Sequence, residues 1–271
     1  MQHPFDAAIA LTPLPGDAGH RGATSPAYAN MVGPFGGVTA ATLLQAALVH
    51  PARLGEPIAL TVNFAAALAE GGFEVIARPV RSNRSTQHWL IELSQGGETA
   101  ATASAVFALR RETWSSAEAQ MPAEVPSAAS LAPARARFGA PAWVQRYDMR
   151  FVDGGMPEAF DGREQPASQS RLWLRDEPPR PLDFASLAAI CDSFFPRIFL
   201  RRRQLAPIGT VTLTTYFHAD AALLAAQGER PVLGCARGVN FRNGYFDQSA
   251  EVWSDAGQLL ASTHQMVYFK G

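Results

Sequence analysis

The side chains best suited to chemistry in this sequence are one carboxylate, one hydroxyl and one amide, each in an apolar setting. Asp192 lies beside the alanines of residues 185–189, whose small side chains leave space above a carboxylate. Thr210 opens a β-branched strand, and Gln265 lies within an apolar strand close to the end of the chain. Because a buried amide needs a hydrogen-bond partner, Gln265 points to further polar groups nearby.

A second interpretation of Asp192 stays open from its surroundings alone. A single aspartate at the edge of an amphipathic helix usually faces water, since carboxylates are seldom buried without a partner. Which interpretation holds depends on whether the fold brings Thr210 and Gln265 to the same place.

The element that must position Asp192 is a predicted helix between Asp183 and Pro196. Asp183 is a suitable N-cap, and apolar residues follow at helical spacing from Phe184 to Phe195. Pro196 lacks an N–H and crowds the carbonyl of Asp192, so the helix is expected to bend or stop there.

A second apolar helix is predicted from Val38 to His50, directly after Gly36 and Gly37. It is apolar nearly all round, which predicts a helix wrapped by protein. Glycines at a helix start permit tight packing against a sheet. The same two residues could instead form an oxyanion site, because the first N–H groups of a helix are unpaired at its positive end.

The rest of the chain reads as strands, and the second half repeats the first. Each helix is followed by four long strand patterns, listed here for the first and then the second half: 58–66, 73–81, 88–95, 99–109; 210–218, 232–241, 246–254, 259–269. Residues 5–11 are also read as a short strand. Superposing the halves places Leu43, Pro57 and Ala105 opposite Asp192, Thr210 and Gln265. The first half therefore carries inert residues at all three positions.

Two helices, each wrapped by an antiparallel sheet, predict an α+β fold of the double-hotdog type. Three segments, 34–37, 209–218 and 259–265, resemble the double-hotdog acyl-CoA thioesterases of the thioesterase II type. The stretch at 112–142 is rich in Ala, Pro and Ser, which predicts a linker between an N-terminal hotdog at 1–111 and a C-terminal hotdog at 143–271. The resemblance does not extend to this linker. It implies hydrolysis of acyl-CoA by a water that Asp192, Thr210 and Gln265 position.

The residue types agree with that activity. Thioester hydrolysis needs an aligned water and stabilisation of an oxyanion, and a carboxylate can accept the proton. The sequence has no Gly-x-Ser-x-Gly motif, so water is the expected nucleophile. A catalytically silent acyl-CoA-binding or scaffold protein remains the alternative. A hotdog hydratase has less support, because no His/Asp or His/Glu helix pair is present.

Composition narrows the class of protein. The 271 residues carry a net charge of −1 and are 47% hydrophobic, which indicates a globular protein without the basic face of a nucleic-acid binder. No apolar run reaches the ~18–20 residues of a membrane span, and no secretory signal is evident. The two cysteines lack metal spacing. The expectation is a cytoplasmic enzyme without metal or cofactor.

Two further expectations concern the coenzyme and assembly. Arg81 and Arg84, in a polar turn, are candidates for binding the phosphates of CoA, since guanidinium suits phosphate geometry. They could equally be solvated turn residues. A homodimer is expected, both because such proteins commonly pair and because the strand at 232–241 could be an open edge.

Overall fold

The computed structural model describes residues 2–15, 19–134, 136 and 139–270. In these residues the α-helices are α1 Pro4–Ala8, α2 Gly36–Leu48, α3 Phe184–Ile190, α4 Arg197–Arg202 and α5 Ala221–Gln227. The strands of the first half are β1 Thr12–Pro13, β2 His20–Ala23, β3 Glu56–Phe64, β4 Gly72–Ser82, β5 Thr86–Gln95 and β6 Glu98–Ala108. Those of the second half are β7 Tyr147–Asp153, β8 Ser170–Asp176, β9 Ile208–Phe217, β10 Val232–Arg237, β11 Phe241–Arg242, β12 Tyr245–Trp253 and β13 Leu259–Phe269.

The described strands form a single antiparallel sheet that joins the two halves of the chain. Its order is β1-β2-β4-β5-β6-β3-β9-β13-β12-β10-β8-β7, and β11 pairs with β12. The halves meet where β3 pairs with β9, from Ala59 opposite Tyr216 to Asn63 opposite Thr212. Outward from this junction, the first half has the order β3, β6, β5, β4, β2 and the second half has the order β9, β13, β12, β10, β8. In both halves the first strand after the central helix pairs with the last strand of its half, and the remaining strands follow in reverse order along the chain. The internal repeat predicted from the sequence is therefore confirmed.

The predicted superposition of the strands is also confirmed. Each junction strand contains a bulge near its start, at Ile58 between β3 and β6 and at Val211 between β9 and β13. Aligning the bulges places Pro57 at the position of Thr210. Because Ala105 pairs with Leu60 and Gln265 pairs with Leu213, the same alignment places Ala105 at the position of Gln265.

Both central helices are buried, as their apolar surfaces require. Ten residues of α2 and all seven of α3 are buried, and the two helices belong to one continuous core. Burial of this much apolar surface is the main stabilising term of such a core. A pair of buried helices on one curled sheet is the double-hotdog arrangement that the sequence predicted.

Helix α3 is shorter than predicted. Asp183 caps its start by accepting a hydrogen bond from the Ser186 amide at 2.8 Å, as expected. The helix ends at Ile190, because the amides of Asp192 and Ser193 turn back to the carbonyls of Ala189 and Ile190. Asp192 thus follows the helix instead of lying within it. Counted from the helix starts, its counterpart in α2 is Leu44, one residue from the predicted Leu43.

Two other predictions about elements are wrong. Residues 5–11 contain the helix α1, whose first turn is capped by the His3 ring, and not a strand. The strand predicted at 232–241 ends at Arg237 and lies between β12 and β8, so it is not an open edge. The ends of the described sheet are β1 and β7.

The segment predicted as a linker crosses the surface of the C-terminal half. Its described part holds one short 3-10 helix, Ala128–Ser130, and Arg135, Arg137 and Phe138 lie outside the described residues. Trp173 donates a hydrogen bond from Nε1 to the Pro126 carbonyl at 2.8 Å. Met121, Val125 and Leu131 pack against a small cluster that includes Trp173 and Trp253. The segment is thus docked on the sheet.

Candidate active site

Asp192 and Gln265 are in direct contact, although 73 residues separate them in the sequence. Gln265 Nε2 donates a hydrogen bond to Asp192 Oδ1 at 2.8 Å. Gln265 lies on the buried face of β13, and Asp192 lies in the turn after α3. The Gln265 amide therefore has the partner that its burial required, and the half-buried Asp192 has one carboxylate oxygen paired inside the protein.

Thr210 completes a chain of three polar groups. Its hydroxyl donates to Gln265 Oε1 at 3.5 Å, which is long for a hydrogen bond of this kind. The Gln265 amide therefore accepts from Thr210 and donates to Asp192. Since both functions of the amide are used, its orientation is fixed by its two partners.

A β-bulge turns Thr210 toward the other two residues. Counted by strict alternation from the buried Leu213, Thr210 would lie on the outer face of the sheet. The extra residue at Val211 shifts the pairing, so that Thr210 lies opposite the buried Val267. Bulges next to functional sites commonly re-aim a side chain in this way.

The start of α2 lies against Asp192. A Cβ added to Gly36 would lie 2.6 Å from Asp192 Oδ2, so only glycine permits this approach. The backbone amide of Gly37 hydrogen-bonds to the carboxylate. A carboxylate is favoured at this position, because the first amides of a helix are unpaired and carry its positive end.

Burial dominates the electrostatics of Asp192. It raises the pKa of the carboxyl to about 7, while the hydrogen bonds from Gln265 and from the Gly37 amide act in the opposite direction. A carboxylate with a pKa near neutrality can both accept and return a proton at physiological pH. The neighbouring Cys191 is buried, and its burial raises the pKa of the thiol to about 12, which keeps it protonated.

Sequence reasoning missed one tyrosine near this site. Tyr147 is almost completely buried at the start of β7, and its ring lies 6.2 Å from that of Phe35, the N-cap of α2. Burial raises the pKa of Tyr147 well above its usual value, and the charges of Asp176 and Asp192 act in the same direction. In the sequence Tyr147 looks like an ordinary strand residue, so no signal distinguished it.

The two arginines predicted to bind CoA lie away from Asp192. Arg81 and Arg84 are exposed, and Arg81 Nε donates to Asn83 Oδ1 at 3.1 Å. Their turn lies beside the segment that follows α2, because Gln87 bonds to Ala52 and Leu54. Asp192 lies at the opposite end of α2, whose 13 residues span about 20 Å. The structure therefore does not bring these arginines to the site.

The described residues contain no group of three or more His, Cys, Asp or Glu side chains that could hold a metal ion. No described helix has the length and apolar character needed to cross a membrane.

Comparison with known proteins gives matches over most of the chain. The domain described as the acyl-CoA thioesterase N-terminal domain matches residues 25–108, and the acyl-CoA thioesterase C-terminal domain matches residues 122–269. No match was found among curated proteins.

Solved structures resemble the whole chain. A protein of unknown function with the hot dog fold from Alicyclobacillus acidocaldarius is 48% identical, with a TM-score of 0.94 over 100% of this chain and 99% of that one. An acyl-CoA thioesterase II from Mycobacterium marinum is 18% identical, with a TM-score of 0.76 over 98% of each chain. A tesB protein from Mycobacterium avium subs. paratuberculosis is also 18% identical, with a TM-score of 0.77 and 98% of each chain covered. The latter two share the fold.

Proposed function

The chain belongs to the acyl-CoA thioesterase family, and on that premise we propose that it hydrolyses acyl-CoA thioesters to a free acid and CoA. The observation that carries the proposal is the contact of Asp192 with Gln265, which also bonds Thr210. This arrangement supplies a proton acceptor whose orientation is fixed by a neutral amide.

In the proposed reaction, Asp192 is the general base. A water held between Asp192 and the Thr210–Gln265 pair attacks the thioester carbonyl carbon, and its proton passes to the carboxylate. The tetrahedral intermediate then expels the CoA thiolate, which takes the proton from Asp192. A pKa near 7 suits this exchange, since the group gains and loses a proton in each cycle.

The oxyanion of the intermediate is assigned to the start of α2, at Gly36 and Gly37. The positive end of a 13-residue helix favours a developing negative charge. The Gly37 amide acts on the Asp192 carboxylate, so the Gly36 amide is the donor left for the oxyanion, and the helix start would serve both groups. Both roles require the close approach that the two glycines allow.

The pseudo-equivalent position in the first half supports one active site per chain. Leu44, Pro57 and Ala105 stand there in place of Asp192, Thr210 and Gln265, and none of them can accept or donate a proton through its side chain.

Release of free thiol from a panel of saturated acyl-CoA thioesters tests the proposal. We expect turnover with at least one chain length, and no trapped acyl-enzyme, because water is the nucleophile. Binding of acyl-CoA without thiol release would contradict the proposal and favour a silent acyl-CoA-binding protein.

A further inference from the structure

The turn that carries Asp192 is held by side chains and not by a ladder of backbone hydrogen bonds. It connects α3 to α4. Within it, the carbonyls of Phe194 and Phe195 accept no hydrogen bond from a backbone amide of the described residues. Both residues lie within three positions of Asp192 in the sequence. The position of Asp192 therefore depends on which other groups bind these two carbonyls.

Gln248 binds the first of these carbonyls. Its Nε2 donates to the Phe194 carbonyl oxygen at 3.1 Å, and its side chain is almost completely buried on β12. Gln248 lies directly opposite Gln265 in the pairing of β12 with β13, so the two amides are neighbours on the buried face of the sheet. One amide of this pair bonds the Asp192 carboxylate, and the other bonds the backbone two residues further along.

Arg197 binds the second carbonyl, at the far end of the turn. Its Nε donates to the Phe195 carbonyl at 3.0 Å, and its Nη1 donates to the Ser168 carbonyl at 3.0 Å and to Ser170 Oγ at 2.6 Å. The guanidinium is buried and has no carboxylate partner among the described residues. Because a buried cation needs such hydrogen bonds, they fix Arg197 in place. Gln248 is then the side-chain donor that acts closer to Asp192 along the chain.

Stability alone would not favour an amide at position 248. The Gln248 Oε1 atom is buried and has no hydrogen-bond partner among the described residues. An unpaired buried oxygen destabilises a fold, and an apolar side chain of similar size would avoid that cost. Departures of this kind are expected at functional sites. The N–H group that holds the Phe194 carbonyl therefore explains the presence of Gln248.

We propose that Gln248 is a positioning residue for Asp192, which acts through the turn at 191–196 and keeps the carboxylate in contact with Gln265. The inference rests on the proposed function, because it names the residue that holds the proposed base. Gln248 does not touch the reacting atoms in this role. When its donor is removed, the Phe194 carbonyl is released, the turn shifts, and the 2.8 Å hydrogen bond from Gln265 to Asp192 is weakened.

Titration of the Asp192 carboxyl tests this role independently of hydrolysis. The signal is followed by NMR between pH 4 and 8 in protein labelled with carbon-13 at its aspartate carboxyls, and Asp192→Asn assigns it. The hydrogen bond from Gln265 favours the ionised form, so its loss raises the titration midpoint. We expect Gln248→Met to move the midpoint to higher pH, in the same direction as Gln265→Ala and by no more than that variant.

Other ionisable groups near Asp192 do not titrate in this range. Burial raises the pKa of the Cys191 thiol to about 12 and that of Tyr147 well above its usual value, so both stay neutral. Burial lowers the pKa of Arg197 only to about 9, so this group stays charged. Helix α2 has no ionisable side chain. The ionisable side chains of β9 and β13 are exposed on the outer face of the sheet, namely Tyr216, His264 and Tyr268.

A double variant separates positioning from a general loosening of the fold. In a protein that already carries Gln265→Ala, the contact through which Gln248 acts is absent. Adding Gln248→Met should then leave the midpoint where Gln265→Ala placed it. In Gln248→Met alone, kcat for thiol release should fall about tenfold with little change in KM, because a displaced base leaves the substrate contacts in place.

Gln227→Met is the matched control, because this buried amide also holds backbone carbonyls, those of Arg230 and Pro231 at 2.9 and 3.1 Å. Gln227 lies near the start of α3, where the Leu182 amide donates to the Gly228 carbonyl. It is therefore at the opposite end of that helix from Asp192. Its substitution should lower thermal stability and leave both the midpoint and kcat unchanged.

The outcomes separate this inference from the proposed hydrolysis. An unmoved midpoint in folded Gln248→Met would overturn the inference, and so would a further shift in the double variant, since Gln248 would then act by another route. Gln248→Leu is a second apolar variant, and failure of both to fold would show that Gln248 supports the fold itself and would refute the positioning role. A raised midpoint without thiol release from any acyl-CoA by the unchanged protein would retain the inference and refute the hydrolase.

Discussion

At the scale of single residues, the account depends on a carboxylate whose surroundings hold its pKa near neutrality. Burial raises the pKa of Asp192 to about 7, and only Gln265 and the Gly37 amide act against it. A general base must be ionised to accept a proton. The rate of thioester hydrolysis should therefore depend on pH, and it should also depend on the Gln265 amide, which stabilises the ionised form of Asp192.

The pH dependence of kcat/KM should fall on the acidic side of about pH 7, because protonated Asp192 cannot activate water. Gln265→Ala removes the hydrogen bond that stabilises the ionised form, so the acidic midpoint should move to higher pH and the plateau should drop about tenfold or more. Steady-state thiol release between pH 5 and 9 measures both.

Gln258→Ala serves as the matched control, because this exposed glutamine lies in the turn before the same strand. Its profile should match that of the unchanged protein. An acidic midpoint that stays in place in Gln265→Ala would show that Asp192 is not the titrating base.

The site residues could be predicted only in part from the sequence. Asp192 and Gln265 could be selected, because an acid beside alanines and an amide in an apolar strand both need partners. Tyr147 could not, since a tyrosine among apolar residues gives no sign that its ring will be buried near Asp192. That property depends on packing between elements distant in the sequence.

At the scale of elements, the long strands could be predicted closely and the irregular features could not. The strand predicted at 259–269 has the bounds of β13, Leu259–Phe269. The end of α3 escaped prediction, because backbone bonds of Asp192 and Ser193 close the helix before Pro196. The bulge at Val211 was also invisible, since alternation alone places Thr210 on the wrong face.

The two glycines at the start of α2 should respond differently to an added methyl group. In Gly36→Ala the Cβ meets the Asp192 carboxylate at 2.6 Å, so a displaced base should lower kcat by about tenfold to a hundredfold. In Gly37→Ala the new Cβ would lie 2.5 Å from the Ala189 carbonyl oxygen, so α2 and α3 must move apart. We expect this to lower the free energy of unfolding by about 1–3 kcal/mol. Measurements of kcat and of thermal unfolding on both variants check this.

Gly72→Ala gives a control for the loss of glycine itself, because its nearest neighbour would be 3.8 Å from the new Cβ. Equal losses of kcat in the Gly36 and Gly37 variants, at equal stability, would contradict the separate roles assigned here.

At the scale of the whole molecule, a repeated fold supports one site. The two halves share strand order and bulge positions, yet Leu44, Pro57 and Ala105 occupy the counterpart of the candidate site. In the proposed reaction the base would come from the second half and the oxyanion-binding helix start from the first. The proposal therefore places one active site in each chain.

The role of Arg81 and Arg84 stays a prediction. Replacing both with alanine should raise KM for acyl-CoA and leave hydrolysis of a short, phosphate-free thioester unchanged, if they bind the coenzyme phosphates. The phosphates would then have to extend about 20 Å along α2 from Asp192. An unchanged KM for acyl-CoA in the double variant would indicate that these exposed arginines are solvated and do not bind the coenzyme.

A homodimer also stays a prediction, now on different grounds. The strand proposed as an open edge is paired on both sides, but the outer face of the C-terminal sheet exposes large side chains, namely Tyr216, Tyr245 and Met266. Apolar groups collected on one face commonly mark an interface. Light scattering coupled to gel filtration should give twice the mass of 29.1 kDa, and a single-chain mass would contradict the dimer.

The rate of Asp192→Asn tests the central claim most directly. The asparagine can still accept the hydrogen bond from Gln265, so the fold and the binding of acyl-CoA should remain, but it cannot accept a proton. We predict that kcat for thiol release falls by roughly a hundredfold or more, at unchanged affinity for a thioether analogue. A folded Asp192→Asn protein with a kcat close to that of the unchanged protein would contradict the account.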